Sequence, residues 1–327
     1  MNTYDKNYAN LLDKILTQGV KKSDRTGVGT ISLFGEIFEV DMKEGFPLLT
    51  TKKIHHKSVV YELLWFLKGG TNIKYLVENG VSIWNEWPHQ RYEKYRASLV
   101  KRIENFDPVL EKTSLTKEHF INLLNAHPAL TLKEFAEKVN SDELFAAEWG
   151  ELGPVYGSQW VNWDQTGINQ ITDAINLLKK EPDSRRNLVT AWNPTDLSRM
   201  LLPPCHYGFQ FWTNPVESGR ELSLMFQMRS VDMFLGFPFD IASYGLLLHM
   251  VAQVVGMSVG KLKICTGDTH IYLNHVEQVK ELLQREPKKL PQLELDPNVK
   301  DIFQFDYQHI QFKDYDAWPA IKAQVAV

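Results

Sequence analysis

Cysteine is almost absent from this chain, which has two among 327 residues. Two cysteines cannot form a disulfide framework, so we expect a reducing compartment. The N-terminal residues lack the basic and then apolar order of a signal peptide. No apolar run reaches the roughly 18 residues that a membrane span needs. The sequence therefore predicts a cytoplasmic protein that does not enter a membrane.

An excess of one charge is also missing. The 36 Lys and Arg residues and 40 Asp and Glu residues give a formal net charge of −4. No global basic surface points to nucleic acid, so any anion site must be local. The chain has no metal-ligand spacing, Walker loop or dinucleotide-binding glycine pattern. We predict no metal site and no requirement for nucleic acid.

Patterns typical of helices and of strands both occur along the chain. Helical periodicity predicts helices within 8–18, 57–70, 169–180, 240–256 and 273–286. Strand-forming residues occupy 29–42, 186–192, 206–212, 221–229 and 261–268, with Gly35 as a bulge or turn in the first. This mixture predicts the α+β class, with a mixed β-sheet and flanking helices.

The stretch at about 88–148 differs from the rest because it is charged and helical and has few strand signals. We interpret it as a helical insertion in a single domain that spans residues 1–327. Charged amphipathic helices are usually a solvated cover packed on one face. A partner-binding module is the alternative for this stretch.

LLPPCHYGFQFW, residues 201–212, places Cys205 at a rigid corner after two prolines. Cys205 is either a small buried hydrophobe or a presented thiol. A reactive thiolate needs positive charge or a helix N-terminus nearby. His206 is adjacent, but neighbouring side chains of a strand point to opposite faces. Cys265, in another strand, has no special neighbours, and we predict that it is structural.

Several charged residues lie in unusual surroundings. Arg25 is in a polar turn, Arg185 and Arg186 precede a strand, and Arg229 is late in an apolar strand. Arginine suits bidentate recognition of phosphate or carboxylate, although surface salt bridges are the simpler explanation. Glu62, inside the apolar helix VVYELLWFL, must be paired, protonated or functional.

Aromatic residues suggest a ligand site less directly. Trp84 and Trp87 have helical spacing and are either core or a stacking wall for a planar ligand. His270 and Tyr272 lie on one face of the extended segment GDTHIY, where both can reach the same ligand. A lone His–Tyr pair is more often structural.

The order of these motifs is more informative than any one of them. The sequence resembles the thymidylate synthase family, of the folate-dependent, cysteine-nucleophile type. The match runs through DRTGVGT, GFPLLTTKK, ELLWFLKGGTNI, IWNEW, LGPVYGSQW, DSRRN, AWNP, LPPCH, RSVDMFLGFPFDIASY, GDTHIYLNHVEQ and IKAQVAV. It covers nearly all the chain outside roughly 88–148, where some bacterial members carry an insertion.

The resemblance implies a fold, a reaction and partners. The fold is that of thymidylate synthases and dCMP hydroxymethylases, a homodimer that packs sheet against sheet. The reaction is reductive methylation of dUMP to dTMP with 5,10-methylenetetrahydrofolate as cosubstrate, which leaves as dihydrofolate. No metal is required. Covalent catalysis begins when the thiolate of Cys205 adds to carbon 6 of the pyrimidine.

The resemblance also assigns residues by matching motif. The catalytic residues that the resemblance implies are Cys205, Glu62, Tyr156 and Arg229. In this assignment Glu62 organises a water network, Tyr156 is linked to proton removal at carbon 5, and Arg229 helps to hold the thiolate. Its dUMP-binding residues are Arg25, Arg185, Arg186, Ser230, Asp232, Asp240, His270 and Tyr272, with Arg185 and Arg186 donated by the other subunit. Its folate-binding residues are His55, Ile83, Trp84, Trp87, Asp232, Leu235, Gly236, Phe239 and Ala326. Ala326 and Val327 form a mobile cap.

Two positions depart from the family pattern. Met228 stands where the family usually has glutamine, and Asp240 stands where it has the asparagine that binds the pyrimidine edge. An ionised aspartate only accepts hydrogen bonds, whereas aspartic acid has one donor and one acceptor and can suit uracil or cytosine. A dCMP methylase or hydroxymethylase is therefore the alternative to dUMP methylation. A non-enzymatic RNA-binding or regulatory protein is a further alternative, disfavoured by the net charge and by the presence of Cys205, Glu62 and the four arginines.

Overall fold

The structure is a computed structural model, and it describes residues 2–106 and 116–325. The strands are β1 (Val20–Lys22), β2 (Thr30–Phe34), β3 (Ile37–Asp41), β4 (Leu188–Thr190), β5 (His206–Val216), β6 (Gly219–Asp232), β7 (Ser258–Tyr272), β8 (Gln292–Leu295) and β9 (Ile310–Lys313). The α-helices are α1 (Thr3–Gln18), α2 (His56–Leu67), α3 (Lys74–Glu78), α4 (Glu86–Glu104), α5 (Lys117–Ala126), α6 (Leu132–Ser141), α7 (Glu143–Trp149), α8 (Tyr156–Val161), α9 (Gln170–Lys180), α10 (Gly236–Val255) and α11 (Val276–Leu283).

The main sheet is mixed. Its strand order is β1-β2-β7-β6-β5-β4, and β3 also pairs with β7. Strands β6 and β7 run parallel, because α10 connects them as a crossover, and the other pairs are antiparallel. Strands β8 and β9 form a separate two-stranded sheet. The α+β class with a mixed sheet and helices is confirmed.

The two faces of the sheet differ in their cover. One face contributes Phe209, Phe226 and Ile264, which are all fully buried, and α10 packs against β6 and β7. On the other face, Leu188, Trp212 and Ile37 are 53%, 62% and 74% exposed. Leu188 pairs with Gln210, and Trp212 lies two residues from Gln210 on β5, so these two side chains lie on the same side of the sheet. Gln210 also pairs with Met225, and Ile37 pairs with Cys265 on the same side, so Ile37 shares that face. One face of the sheet is thus core and the other is open and partly apolar.

The chain divides into two compact units. The first comprises residues 1–70, 154–198 and 203–327 and contains the sheets, and the second comprises 71–153 and 199–202. The second unit is helical and packs around Tyr92, which is fully buried and contacts the rings of Phe135, Phe145 and Trp149. The compact helical unit therefore begins well before residue 88. A single domain with an insertion at about 88–148 stays a prediction.

Several predicted elements are confirmed, and others are corrected. Helix α1 ends at Gln18, before Gly19, as the pattern predicts, but it begins at Thr3 after an Asn2 cap, five residues before the predicted start. The stretch 29–42 is two strands, since Gly35 adopts φ 84°, a turn conformation that favours glycine. The strand predicted at 261–268 is too short, because β7 extends over 15 residues between two neighbouring strands. Sequence periodicity missed β1, β8 and β9, which are only three or four residues long.

Helix α10 is long and apolar enough to cross a membrane, by length and composition alone. The most apolar stretch of this helix is 67% buried inside the protein. It begins at Gly236, four residues before the predicted start, so that the segment Gly236–Asp240 forms its first turn. We therefore describe α10 as the core helix that the sequence predicts at 240–256.

Candidate active site

Cys205 lies in the corner that leads into β5, and Arg229 holds that corner. The backbone N–H of Arg229 donates to the carbonyl of Cys205 at 2.9 Å. Its side chain donates from Nε to the carbonyl of Pro204 at 2.8 Å and from Nη2 to the carbonyl of Pro203 at 2.9 Å. The carbonyls of both prolines therefore accept from one guanidinium. Arg229 thus fixes three successive residues around the thiol.

The same guanidinium lies near sulfur and solvent. Nη2 of Arg229 is 3.9 Å from Sγ of Cys205, and the guanidinium carbon is 5.7 Å from the ring centroid of Trp192. The sequence suggested a guanidinium inside a buried strand, but Arg229 is exposed. Arg229 occupies an exposed position of β6, between the buried residues Met228 and Val231. An exposed guanidinium next to the thiol remains available to an anionic ligand.

Tyr156 and His206 pack behind Cys205. The phenolic oxygen of Tyr156 accepts a hydrogen bond of 2.8 Å from the backbone N–H of Cys205. The ring of Tyr156 stacks on His206 with centroids 4.1 Å apart, and Nδ1 of His206 lies 2.9 Å from the hydroxyl of Tyr244. Burial lowers the pKa of His206 to about 3, so this imidazole stays neutral. His206 therefore supplies no positive charge to the thiol.

The pKa of Cys205 is raised to about 11, mainly by burial. Arg229 opposes this shift because its positive charge favours the thiolate, while Asp240 and Asp232 reinforce it. Within one chain, the single arginine does not overcome the cost of burying the charged sulfur. Further positive charge near the sulfur would lower this pKa.

Asp240 occupies the first turn of α10, close to His206. Its Oδ1 is 3.7 Å from Nε2 of His206. Burial raises the pKa of Asp240 well above its ordinary value, and the charges of Glu62 and Asp232 raise it further. Burial therefore favours the protonated form of Asp240, which has one donor and one acceptor. Glu62 itself is half-buried on α2.

Asp232 ends β6 and shapes the turn that leads into α10. Its Oδ1 accepts hydrogen bonds from the backbone N–H groups of Phe234 and Leu235 at 3.0 and 3.2 Å. Buried Lys52 donates to the carbonyl of Phe234, and its Nζ lies 4.0 Å from the centroid of that ring. Burial lowers the pKa of Lys52 to about 8, although Asp232 opposes this shift. The carboxylate is thus held in one orientation.

His270 and Tyr272 lie at the end of β7, and β7 pairs with β6 at Asp232. Their rings are 4.9 Å apart. Nδ1 of His270 is 3.1 Å from the carboxylate of Asp268, whereas Nε2 is buried and has no partner among the described residues. A buried ring nitrogen without a partner suits a hydroxyl of a ligand. Burial raises the pKa of Tyr272 to about 12, which keeps its hydroxyl protonated.

The strands also fix the residues around Arg229. Ser230 is half-buried and pairs with Asp268 of β7. Met228 is 3% exposed and pairs with His206. Half-buried Gln227 pairs instead with Gly208 and Cys265. Gln227 therefore belongs to the other face of the sheet, and Met228 leaves its own face apolar.

The structure does not bring all four predicted arginines to the thiol within one chain. Arg25 is exposed in the turn between β1 and β2, where the carboxylate of Asp24 accepts from Thr26 and Gly29. Arg185 and Arg186 are exposed at the opposite edge strand, before β4. The carbonyl of Arg185 accepts from the side chain of Gln210. Gln210 is five residues along β5 from Cys205, which is about 17 Å.

Most predicted folate residues lie around the first turn of α10 or in the second unit. Leu235, Gly236 and Phe239 are half-buried in the first unit, as is Asp232, while His55 is exposed with Nδ1 2.7 Å from Oγ of Ser58. The second unit holds half-buried Ile83 and the Trp84–Trp87 pair, whose ring centroids are 5.3 Å apart. Nε1 of Trp87 is buried without a hydrogen-bond partner among residues 2–106 and 116–325. Ala326 and Val327 lie outside the described residues.

Three neighbours of the site had no signal in the sequence. Lys52 is the first of two adjacent lysines, and nothing in the pattern distinguishes the buried one from the exposed Lys53. Tyr244 and His275 lie in segments assigned to core and surface helices. Their roles depend on partners distant along the chain. Within the part of the chain that the structure describes, no group of three or more His, Cys, Asp or Glu residues is arranged to hold a metal ion.

Comparison with known proteins decides the family. The sequence model of the thymidylate synthase family matches residues 6–327. The chain belongs to the thymidylate synthase family. The thymidylate synthase of Mycoplasma mobile is 49% identical over 320 residues, which cover 98% of this chain and 99% of that protein. Those of Malacoplasma penetrans and Listeria monocytogenes are 46% and 44% identical, and each alignment covers 98% of this chain and 100% of the relative.

The family membership confirms the resemblance found in the motifs. It also establishes that the chain is an enzyme, a methyltransferase of the thymidylate synthase family. The matched region includes Cys205, Arg229 and Asp240. The geometry around these three residues is therefore that of a candidate active site.

Proposed function

We propose that this enzyme converts dUMP to dTMP by reductive methylation with 5,10-methylenetetrahydrofolate, releasing dihydrofolate. The observation that carries the proposal is the Arg229 guanidinium 3.9 Å from Sγ of Cys205, in a corner that it also fixes through two proline carbonyls. The family and the names of the relatives support the same reaction. Cys205 is the nucleophile in this proposal.

The thiolate of Cys205 forms a bond to carbon 6 of the pyrimidine, and the displaced electron pair makes carbon 5 nucleophilic. The folate supplies a one-carbon unit and then a hydride. Carbon 5 bonds to the one-carbon unit, and removal of the carbon-5 proton breaks the bond between that unit and a nitrogen of the folate. The hydride then completes the methyl group, and Cys205 leaves carbon 6 as the double bond reforms. Because the pKa of Tyr156 is raised well above its ordinary value by burial, its phenol acts here as a fixed donor and acceptor for water. Glu62 organises the remaining water.

The phosphate of the nucleotide binds to arginines in this proposal. Arg229 and Ser230 contribute from β6, and Arg25 contributes from the turn between β1 and β2. Arg185 and Arg186 lie about 17 Å along the sheet from Cys205, so they reach the phosphate only from a second copy of the chain. Their two positive charges also lower the pKa of Cys205, which the single chain leaves at about 11.

The second copy fits the open face of the sheet. Exposed Leu188, Trp212 and Ile37 lie on that face, and large exposed apolar side chains on one surface are typical of a protein interface. We therefore propose a homodimer that packs sheet against sheet and completes each active site with Arg185 and Arg186 of its partner. A catalytic thiol functions only when reduced, which agrees with the predicted cytoplasmic location.

The base and sugar sites follow from buried polar groups. His270 and Tyr272 hold the deoxyribose hydroxyl, and the unpartnered Nε2 of His270 fits that role. Neutral Asp240 donates to the uracil carbonyl and accepts from the ring N–H. The carboxylate of Asp232 binds the pterin ring of the folate, whose pocket also includes His55, Leu235, Gly236 and Phe239. Ile83, Trp84, Trp87 and Ala326 are the remaining residues that the family resemblance assigns to folate binding.

Asp240 also supports a second candidate function. A neutral carboxylic acid that donates to the bare ring nitrogen of cytosine and accepts from its amine suits dCMP equally well. The alternative is therefore a dCMP methylase or hydroxymethylase. The relatives named thymidylate synthase favour dUMP.

A parallel assay with dUMP and dCMP tests the proposal. Each reaction contains the methylene folate, and dihydrofolate is followed by absorbance and the nucleotide by mass. We expect dTMP from dUMP and little turnover of dCMP, with no turnover by Cys205→Ser. Preferred turnover of dCMP contradicts the proposal, and the product mass then distinguishes a methyl from a hydroxymethyl group.

A further inference from the structure

His275 is a fully buried histidine that the mechanism above does not use. It ends the short 3-10 turn Leu273–His275, directly before α11. Its Nε2 lies 2.8 Å from the backbone carbonyl of Gln324. Because a carbonyl only accepts hydrogen bonds, Nε2 must carry the proton. The Nε2 edge of the ring therefore binds the C-terminal segment.

The other ring nitrogen faces the ligand site. Nδ1 of His275 is 3.9 Å from Oδ1 of Asp232, is buried, and has no hydrogen-bond partner among the described residues. That distance exceeds a direct hydrogen bond, but one water molecule can donate to both atoms. The ring also packs against Phe234 and Tyr272, with centroids 5.5 and 5.6 Å away. His275 thus faces or contacts Asp232 and Tyr272 of the proposed site and also packs against Phe234.

Among the described residues, few other hydrogen bonds hold the C-terminal segment near His275. Its earlier part is held at Trp318, whose backbone bonds to Thr50 and Lys53, and at Pro319, whose carbonyl accepts from Arg285. Residues 320–325 lie outside helices and strands and contain no buried residue. Among residues 2–106 and 116–325, the bond from His275 is the hydrogen bond that holds this stretch.

We propose that His275 is a positioning residue that holds residues 320–325 against the site at Asp232, so that the C-terminal segment and the carboxylate are oriented together. The inference rests on the proposed function in one respect, the binding of folate by Asp232. The attachment of the segment to His275 stands on geometry alone. Its loss weakens folate binding because the segment and Asp232 then move independently.

Two substitutions at His275 distinguish the role of Nε2 from that of Nδ1. In His275→Gln, the amide nitrogen reaches the position of Nε2 and keeps the bond to Gln324. In His275→Asn, the shorter side chain keeps a polar group only near the position of Nδ1 and loses that bond. His249→Asn is the matched control, because His249 bonds within its own helix, to the carbonyl of Gly245.

The first readout is the rate at which a carboxypeptidase removes residues from the C-terminus of the intact, unliganded protein, followed by mass. A lost neutral hydrogen bond predicts a rate about 2- to 10-fold faster for His275→Asn. His275→Gln and His249→Asn should match the wild type. Equal rates for His275→Asn and the wild type, or equal acceleration in both His275 variants, overturn the proposal.

The second readout is steady-state kinetics. We expect His275→Asn to raise KM for the methylene folate by about 2- to 10-fold, with KM for dUMP unchanged and recovery in His275→Gln. An unchanged folate KM overturns the coupling. If the wild type fails to turn over dUMP, the proposed function fails, while the digestion comparison still tests the attachment.

A third measurement needs no variant and covers the case in which the variants do not fold. The ¹⁵N shifts of the His275 imidazole in the wild-type protein report its tautomer. A proton on Nε2 supports the bond to Gln324. A neutral ring protonated only on Nδ1 overturns the proposal, because Nε2 then has nothing to donate.

Discussion

The phenolic oxygen of Tyr156 accepts a hydrogen bond of 2.8 Å from the backbone N–H of Cys205, 49 residues away in the chain. Tyr156 begins α8, and its ring stacks on His206, the residue that follows the thiol. One side chain therefore fixes both the backbone of the nucleophile and the ring beside it. The position of the sulfur depends on this contact as well as on Arg229.

Tyr156→Phe removes that acceptor and leaves the N–H of Cys205 without a partner. We expect a loss of about 1–3 kcal/mol in the free energy of unfolding. We also expect kcat to fall, because the hydroxyl no longer positions water for proton removal. Urea unfolding and steady-state kinetics measure the two effects. Tyr92→Phe is the control, since its buried hydroxyl bonds to the carbonyl of Pro128 in the second unit. An equal fall in kcat in both variants contradicts the specific role of Tyr156.

Arg229→Gln should make Cys205 less reactive, because the positive charge that lowers the pKa of the thiol is lost. The measurement is the rate of alkylation by iodoacetamide against pH, in a Cys265→Ala background that leaves one cysteine. We expect the pH midpoint of alkylation to move upward. Arg25→Gln should move it less, since Arg229 is the cation that acts on this thiol within the chain. Equal shifts in the two variants are the contrary result.

Asp240→Asn should change the pH dependence of stability. The pKa of Asp240 is raised in the folded chain, so the folded state binds more protons than the unfolded state above the ordinary carboxyl value of 3.8. The stability of the wild type relative to Asp240→Asn must therefore fall as pH rises through the folded pKa. Urea unfolding of both proteins at several pH values measures the difference. A difference that does not change with pH shows that Asp240 is ionised when folded.

The same substitution tests how uracil is bound. When Asp240 ionises, it can no longer donate to the uracil carbonyl, whereas asparagine donates at every pH. Leaving a buried polar group without a hydrogen-bond partner costs about 1–3 kcal/mol, which corresponds to about a 5- to 150-fold loss in kcat/KM. We expect the ratio of kcat/KM for dUMP, Asp240→Asn over wild type, to rise with pH toward that range. A ratio below one at every pH contradicts this role for Asp240.

Mixing two inactive variants tests the shared active site. One variant carries Cys205→Ser, and the other carries Arg185→Ala with Arg186→Ala. After subunits exchange at equal concentration, half of the dimers are hybrids with one complete site, so about a quarter of wild-type activity should return. Cys205→Ser mixed with Arg25→Ala is the control and should recover nothing, because Arg25 acts within its own subunit. Absence of recovery in the first mixture contradicts donation by Arg185 and Arg186.

Local sequence patterns predicted the long elements well. Helix α10 and the strands β5 and β6 have strong apolar patterns, so burial alone identifies them. The three-residue strand β1 is exposed throughout and exists only because it pairs with β2. Pairing with a distant partner leaves no periodic signal in so short a segment. The first turn of α10 was missed for a related reason, since Asp232 stabilises the turn before it through its side chain.

The sequence by itself determined the residue types available for chemistry: a cysteine in a proline corner, four arginines, and an aspartate in place of the asparagine expected in GFPFDIASY. The order of the motifs determined the family. Tertiary structure alone decided that the guanidinium of Arg229 reaches two proline carbonyls and the thiol, that His206 is neutral, and that His275 faces both Asp232 and Gln324. Those properties depend on burial and on contacts between distant segments, which set the dielectric surroundings and the hydrogen-bond partners of each group.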